Sequence, residues 1–454
     1  MKAIALALLF TLPAAAKEAP PEPGPAKDFH LPAQQKLALD NGMKVTMVQW
    51  GTVPKVVLLL TIAAGNIDEA KGETWLADLT ADMLTQGTQA RTAAQLAEAA
   101  AGMGGELAAS AGADLTDVSI DVLAESAPEA VKLLAEVART PAFPEADFAR
   151  RRNDRLRELA IARTRPQRLA EEKFVAALYP DHPYGRLLPT ADELQALTVE
   201  RARAFHAANY GAARAHLYLV GRFDPAQLEP VIRAAFGDWK RGGDFVPRPP
   251  SPRAERKVFL VDRPGAVQST IFLGMPVIDP AHSDYFKLLV ANALLGGSFN
   301  SRITRNIREQ KGYTYSPSSV LSTRRRNVHW VETADVTTKD TGASLKEIFA
   351  EIARLKSEPP PAQELLGIQR YLAGTFVLRN SARDRMVQQL RFVDLQGLPE
   401  DWLDTYVQRV YAVTPKDVQE VTAKYIADDK ATLVVVGDLK TVREQVAPYG
   451  PVGQ

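Results

Sequence analysis

An arginine and a tyrosine seven positions apart, Arg308 and Tyr315, are the residues of this chain best suited to do chemistry. A guanidinium is a planar, permanently charged donor and a phenol adds a hydroxyl, so the two together can hold a carbonyl oxygen or the negative charge that develops on it. Whether they meet depends on the elements that carry them. Phe299, Ile303 and Ile307 recur every four residues as a buried stripe, Ser298 can cap the start of a helix, and Gly312 can end it in the left-handed conformation. Arg308 then lies in the last turn, off the stripe. Tyr313 and Tyr315 alternate with Thr314 and Ser316 as a strand would, which returns one tyrosine face beside the helix end. The spacing predicts a two-donor clamp.

At 454 residues the chain is long for one ordinary domain and sufficient for two with substantial cores. A formal net charge of +1 gives no broad basic field, so neither nucleic acid nor an anionic membrane surface is the natural partner. The runs Arg150-Arg151-Arg152 and Arg324-Arg325-Arg326 read as solvated faces rather than phosphate sites. Met1-Lys2, an apolar stretch over 3–12 and Pro13-Ala14-Ala15-Ala16 read as a secretory signal over residues 1–16, so a periplasmic or secreted protein is expected. No later apolar run has the length of a membrane span, and the absence of cysteine excludes disulfides, thiolate metal ligands, a cysteine nucleophile and a lipoprotein anchor.

Residues 17–29 are rich in Pro, Ala, Glu and Lys and read as a disordered lead-in. A linker is expected over 241–256, where Pro247, Pro249, Pro250 and Pro252 forbid helix or sheet. It separates an N-terminal domain over 30–240 from a C-terminal domain over 257–454. These halves repeat each other: the segment ending at Gly221 aligns without a gap with the one ending at Gly437, Ala135 to Arg139 matches Ala350 to Arg354, and Leu84 to Thr88 matches Leu294 to Ser298. In the first copy strands are expected over 56–63, 107–111, 116–122 and 215–221. Helices are expected over 75–86, 93–103, 128–139, 145–163, 168–178, 198–208 and 225–236. Adjoining strands and clustered helices make this an α+β fold with a largely antiparallel sheet in each copy.

With these motifs in hand, the chain resembles the insulinase-like (pitrilysin) zinc peptidases from about His30 onward, and within them the two-domain branch that includes bacterial processing proteases and mitochondrial processing peptidase. The resemblance rests on Gln86-Gly87-Thr88 after the first helix, on the run from Leu178 to Gly185, on the strand ending Val220-Gly221, and above all on Arg308 and Tyr315. It implies two homologous domains of the mitochondrial-processing-peptidase-like metallohydrolase type, and a substrate-binding role for Arg308 and Tyr315. It also exposes a departure. An active member carries His-x-x-Glu-His on that first helix, two imidazoles one turn apart for zinc and a glutamate to activate water. The corresponding residues here are Asp78, Ala81 and Asp82, and Glu158 falls near the third ligand position. In the second copy the equivalents are Leu288, Ala291 and Asn292.

No catalytic or metal-ligating residue is therefore expected in this chain. The six histidines, His30, His182, His206, His216, His282 and His329, are too scattered to rebuild a zinc site. Asp78, Asp82 and Glu158 can in principle gather round a hard cation, although Glu158 lies among arginines that would pair with it. The segment 104–110 resembles the family's substrate-pairing edge strand, with Ala108 where the family has asparagine. The expectation is a non-catalytic subunit of a heteromeric zinc peptidase, in which a zinc-bearing partner supplies the metal and this chain the substrate clamp. The alternatives are a non-enzymatic peptide-binding or scaffold protein of the same fold, and a stand-alone hydrolase using the three carboxylates.

Overall fold

A computed structural model describes Gly24 and residues 29–453 of the chain. The expected signal over 1–16 lies outside the described residues, as does the lead-in apart from Gly24 and Phe29. The first half runs β1 (Gln34–Ala38), β2 (Lys44–Gln49), β3 (Lys55–Ile62), α1 (Leu76–Leu84), α2 (Ala93–Gly102), β4 (Ala108–Ala111), β5 (Thr116–Leu123), α3 (Ala127–Arg139), α4 (Glu145–Thr164), α5 (Pro166–Leu178), α6 (Ala191–Ala196), α7 (Val199–Asn209), β6 (Ala215–Gly221) and α8 (Pro225–Phe236). The second runs β7 (Lys257–Asp262), β8 (Gln268–Val277), α9 (Tyr285–Asn292), β9 (Ser318–Arg324), β10 (Asn327–Thr337), α10 (Thr341–Ser357), α11 (Ala362–Arg379), α12 (Arg383–Gln396), α13 (Tyr406–Tyr411), α14 (Pro415–Tyr425), β11 (Thr432–Gly437) and α15 (Leu439–Val446). Residues 241–256 carry no regular element.

The duplication is visible in the sheets. One has the order β1-β2-β6-β3-β5-β4 and the other β7-β11-β8-β10-β9, so the last five strands of the first match the second position for position. In both, a single parallel pair (β2 with β6, β7 with β11) joins an otherwise antiparallel ladder. The strand pair β1 and β2 was not anticipated, although Asn41-Gly42 between them, with Gly42 at φ 92°, is a hairpin signal.

The halves exchange a helix. Val57 and Leu59 of β3 pack against Met386, Val387 and Leu390 of α12, while Ala170, Phe174 and Leu178 of α5 pack against Val331, Val434 and Val436 of the second sheet. Each sheet thus has its own helices on one face and a helix from the other copy on the opposite face. That explains why β3 and β11 read as unbroken apolar runs rather than alternating ones, since both of their faces are buried.

Two segments around the expected clamp differ from the sequence reading. The stretch bearing Ile303, Ile307 and Arg308 is wound as a π-helix over Thr304–Gln310, following another π-turn at Ala293–Gly297. Ser298 is extended and leaves its hydroxyl without a partner rather than capping, and it is the Ser301 hydroxyl that bonds Thr304. Phe299 accordingly leaves the stripe and stands 62% exposed, whereas Ile303 and Ile307 are buried. Gly312 ends the helix at φ 67° as expected. Tyr313 to Ser316 do not form a strand: only Thr314 bridges to Val336, because Pro317 has no N–H to continue a ladder and β9 starts beyond it.

Candidate functional site

The π-winding and the left-handed Gly312 bring Tyr315 back over Arg308. The guanidinium carbon lies 4.9 Å from the centre of the Tyr315 ring and 4.4 Å from that of Phe299, so the charged plane is contacted by two aromatic rings. Such contacts are worth about 0.5–1 kcal/mol each at exposed sites, which favours this placement of the guanidinium. Tyr315 is 79% exposed, Arg308 is half-buried, and among the described residues no carboxylate or carbonyl occupies the guanidinium. The neighbouring Glu309 does not pair with it. The donors of Arg308 and Tyr315 lie close together and unengaged, and Phe299, which the sequence reading assigned to the core, contacts the same guanidinium.

The first half shows the opposite arrangement. Asp78 and Asp82 stand one turn apart on α1, facing α4, and the Arg155 guanidinium lies between them. It grips Asp82 with two bonds of 2.9 Å, donates to Glu158 at 2.9 Å and approaches Asp78 at 3.8 Å. Burial disfavours the Arg155 charge, but the Asp82 bonds and the three carboxylates more than offset it. The position open to a cation among these acids is filled by an internal one. No group of three or more potential ligands able to hold a metal occurs among the described residues. Ala81, where a general base would stand, is a buried methyl. The three-carboxylate hydrolase has no free carboxylate cluster to work with.

Arg155 was legible in part, since Glu158 lies three residues on along the same helix face. Glu69 and Asn66 were not anticipated. The Glu69 carboxylate caps the start of α1 by accepting from the Ala77 N–H (2.9 Å) and from Asn66 Nδ2 (3.0 Å), and that same amide reaches Asp78 at 2.8 Å. Burial pushes Glu69 up to about 8 against the pull of those bonds, and burial also raises Asp78, with Arg155 opposing it. A carboxyl raised above its unfolded value of 4.5 contributes stability that is fully present below that value and is lost as pH climbs toward 8. Glu69 therefore contributes a fall in unfolding free energy between pH 5 and pH 8, of about 1.4 kcal/mol per unit, opposite in sign to the buried neutral imidazoles of His216 and His329, and Glu69→Gln is expected to remove that contribution. Urea titrations at both pH values check this. Parallel slopes for wild type and variant would contradict it.

Five histidines with described contacts occupy separate places. His182 bonds the Arg248 carbonyl, His206 the Ala138 carbonyl, His216 the Thr46 hydroxyl, His282 accepts from the Asp284 N–H, and His329 meets Tyr179 Oη. In the second copy Asn292 sits in the core and accepts from Ser319 Oγ and Trp330 Nε1. The arginine runs are engaged within the protein: Arg152 bonds the Gln195 and Leu197 carbonyls, Arg325 stacks on Phe245, and Arg326 pairs with Asp279. Strand β4, carrying Ala108, lies at the edge of its sheet.

The family described as Insulinase (Peptidase family M16) matches residues 44–191, and the one described as Peptidase M16 inactive domain matches residues 196–372. The chain belongs to peptidase family M16. The first M16 match contains the Arg155 cluster and the second contains Arg308 and Tyr315. An uncharacterized zinc protease of Streptomyces coelicolor is 24% identical over 89% of this M16 chain and 90% of its own length; one of Bacillus subtilis is 23% identical over 88% and 98%. Among solved structures, a peptidase M16 inactive domain from Pseudomonas fluorescens superimposes with a TM-score of 0.83 at 25% identity, covering 89% of this chain and 98% of that one. The periplasmic protease PqqL from Escherichia coli shares the M16 fold at a TM-score of 0.77 and 15% identity, covering 94% of this chain and 48% of its own. No described helix of this M16 protein is long and apolar enough to cross a membrane.

Proposed function

We propose that this chain is the non-catalytic subunit of a heteromeric periplasmic zinc peptidase, and that Arg308 and Tyr315 complete the active site of a zinc-bearing M16 partner by holding the substrate backbone. The observation that carries this reading is the contrast between two guanidiniums. Arg155 is enclosed by Asp82, Glu158 and Asp78 at the place where the family resemblance puts a metal. Arg308 is stacked between two rings with its donors unengaged. A donor pair for a substrate carbonyl has catalytic use only beside a nucleophile, and no group able to hold a metal that would supply one lies among the described residues. The two domains divide at the linker over 241–256, the second carrying the clamp. Zinc belongs to the partner in this reading. The test is metal analysis and peptide hydrolysis with the purified chain alone: no stoichiometric zinc and no chelator-sensitive cleavage are expected, and either one would overturn the proposal.

A scaffold or peptide-binding protein of the same fold is the second reading. It is favoured by the same stacked clamp, which can bind peptide with no hydrolysis nearby. A zinc-bearing partner whose activity ignores Arg308→Ala would decide for it.

A further inference from the structure

A cavity of about 500 Å³ lies between α11, α12, β9 and the first π-turn, and none of Phe299, Arg308 and Tyr315 lines it. Its place follows from the duplication. Helices α4 and α11 both start after a proline, Pro144 and Pro361, and counting from those prolines sets Leu372 at the position of Arg155 and Thr375 at that of Glu158. Asn292 stands at that of Asp82. Leu372, Thr375 and Asn292 all line the cavity. The guanidinium that fills this space in the first copy thus has no counterpart in the second, where the space is open.

The walls are aromatic. The Phe376 and Tyr406 rings stack at 3.8 Å, and Trp402 meets Tyr406 edge-on at 5.9 Å. Two buried polar atoms of the lining are unpaired: Asn380 Oδ1, on a residue 2% exposed, and Trp402 Nε1, on one 4% exposed. The first is an acceptor and the second a donor. Buried groups of this kind ordinarily have partners, so a ligand carrying one donor and one acceptor completes the bonding.

The charge of the lining has a single sign. Arg379 and Arg391 belong to it and no carboxylate does. Arg391 is paired with Asp117 of the first half, whereas Arg379 is exposed and has no acidic partner among the described residues. A free guanidinium beside aromatic walls fits a carboxylate attached to a planar ring, because its fork matches the two carboxylate oxygens. Both arginines oppose a cationic ligand, and an aliphatic acid leaves the rings without a stacking partner.

We propose that this cavity binds a small aromatic acid, with its ring among Phe376, Trp402 and Tyr406, its carboxylate on Arg379, and a donor and an acceptor on Asn380 and Trp402. The volume lies within the usual range for small-molecule sites, about 300–1,000 Å³. The site is separate from the clamp and does not depend on how the clamp is read.

The test is isothermal titration calorimetry of the full chain with N-acetyl-L-tryptophan, whose indole N–H and acetyl carbonyl supply the donor and the acceptor, and with its amide. The acid is expected to bind about tenfold more tightly than the amide, since its bond to Arg379 is charge-assisted. Arg379→Gln should weaken the acid about tenfold and leave the amide unchanged, a pattern that a general disturbance of the fold does not produce. Thr375→Phe fills the cavity and should abolish binding of both, with circular dichroism confirming that the variant folds. An amide that binds as tightly as the acid, an acid indifferent to Arg379→Gln, binding that survives in folded Thr375→Phe protein, or no heat from the acid at all overturns the proposal.

Discussion

In a reconstituted pair with a His-x-x-Glu-His partner, Arg308→Ala is expected to lower kcat/KM for peptide cleavage by about 100-fold, the usual effect of deleting one preorganised donor to a developing oxyanion. Tyr315→Phe removes a neutral hydroxyl and should cost roughly tenfold, since uncharged hydrogen bonds are about half as strong as charged ones. The size of the Arg308 effect follows from its geometry. Ring contacts at 4.4 and 4.9 Å hold the guanidinium plane before substrate arrives, so little reorganisation is needed when charge develops. Arg308→Lys should rescue poorly, because an ammonium has neither the plane that stacks nor the fork that grips. Steady-state kinetics separate the roles: a fall mainly in kcat marks contact with the transition state, and a rise in KM alone marks ground-state binding. Unchanged zinc in the partner must accompany either result.

The second large effect is on stability. Arg155→Ser leaves Asp78, Asp82 and Glu158 facing one another without their cation, and breaking such a pair in the interior costs about 3–5 kcal/mol. Side-chain exposures of 18–19% for Asp78, Asp82 and Arg155 admit some solvent and place the expected loss at the lower end, about 3 kcal/mol. A lower urea midpoint with an unchanged slope is the signature of lost stability rather than of a changed unfolded state. Adding Asp82→Asn to Arg155→Ser should restore part of the loss, since the two groups act as a pair. A single variant as stable as wild type would show that the guanidinium does not compensate the acids.

Much of this was legible from residue types. Asp78 and Asp82 were readable as one acidic face of the first helix, and the seven-residue spacing of Arg308 and Tyr315 put them near one another. What the spacing left open was how they meet. A four-residue repeat through Phe299, Ile303 and Ile307 fits a regular helix, but Gly296 packs so close to Glu332 and Ser319 that a Cβ there would lie 2.4 Å from Glu332 Oε2, and the chain on either side winds in wider π-turns. That contact joins residues far apart in sequence. Pro317, which has no N–H to continue a ladder, outweighs the alternation of tyrosines before it.

Glu332 shows a further limit. Within β10 it looks like one acid in an ordinary strand, yet it is fully buried, and burial raises its carboxyl well above the ordinary range against the pull of the Ser318 backbone. Only the packing of β10 under the first π-turn reveals that. The exchanged helices α5 and α12 were likewise hidden, because apolar runs such as β3 announce burial on both faces without saying which element provides it.

The central claim is that the clamp and the zinc reside on different chains. It is tested most directly by titrating this chain into a separately purified zinc-bearing partner and following peptide cleavage against molar ratio. The account predicts little activity from either component alone, a rise that saturates at a fixed stoichiometry, and a far lower plateau with Arg308→Ala. Full activity of the partner without this chain, or a plateau that Arg308→Ala leaves unchanged, would contradict it.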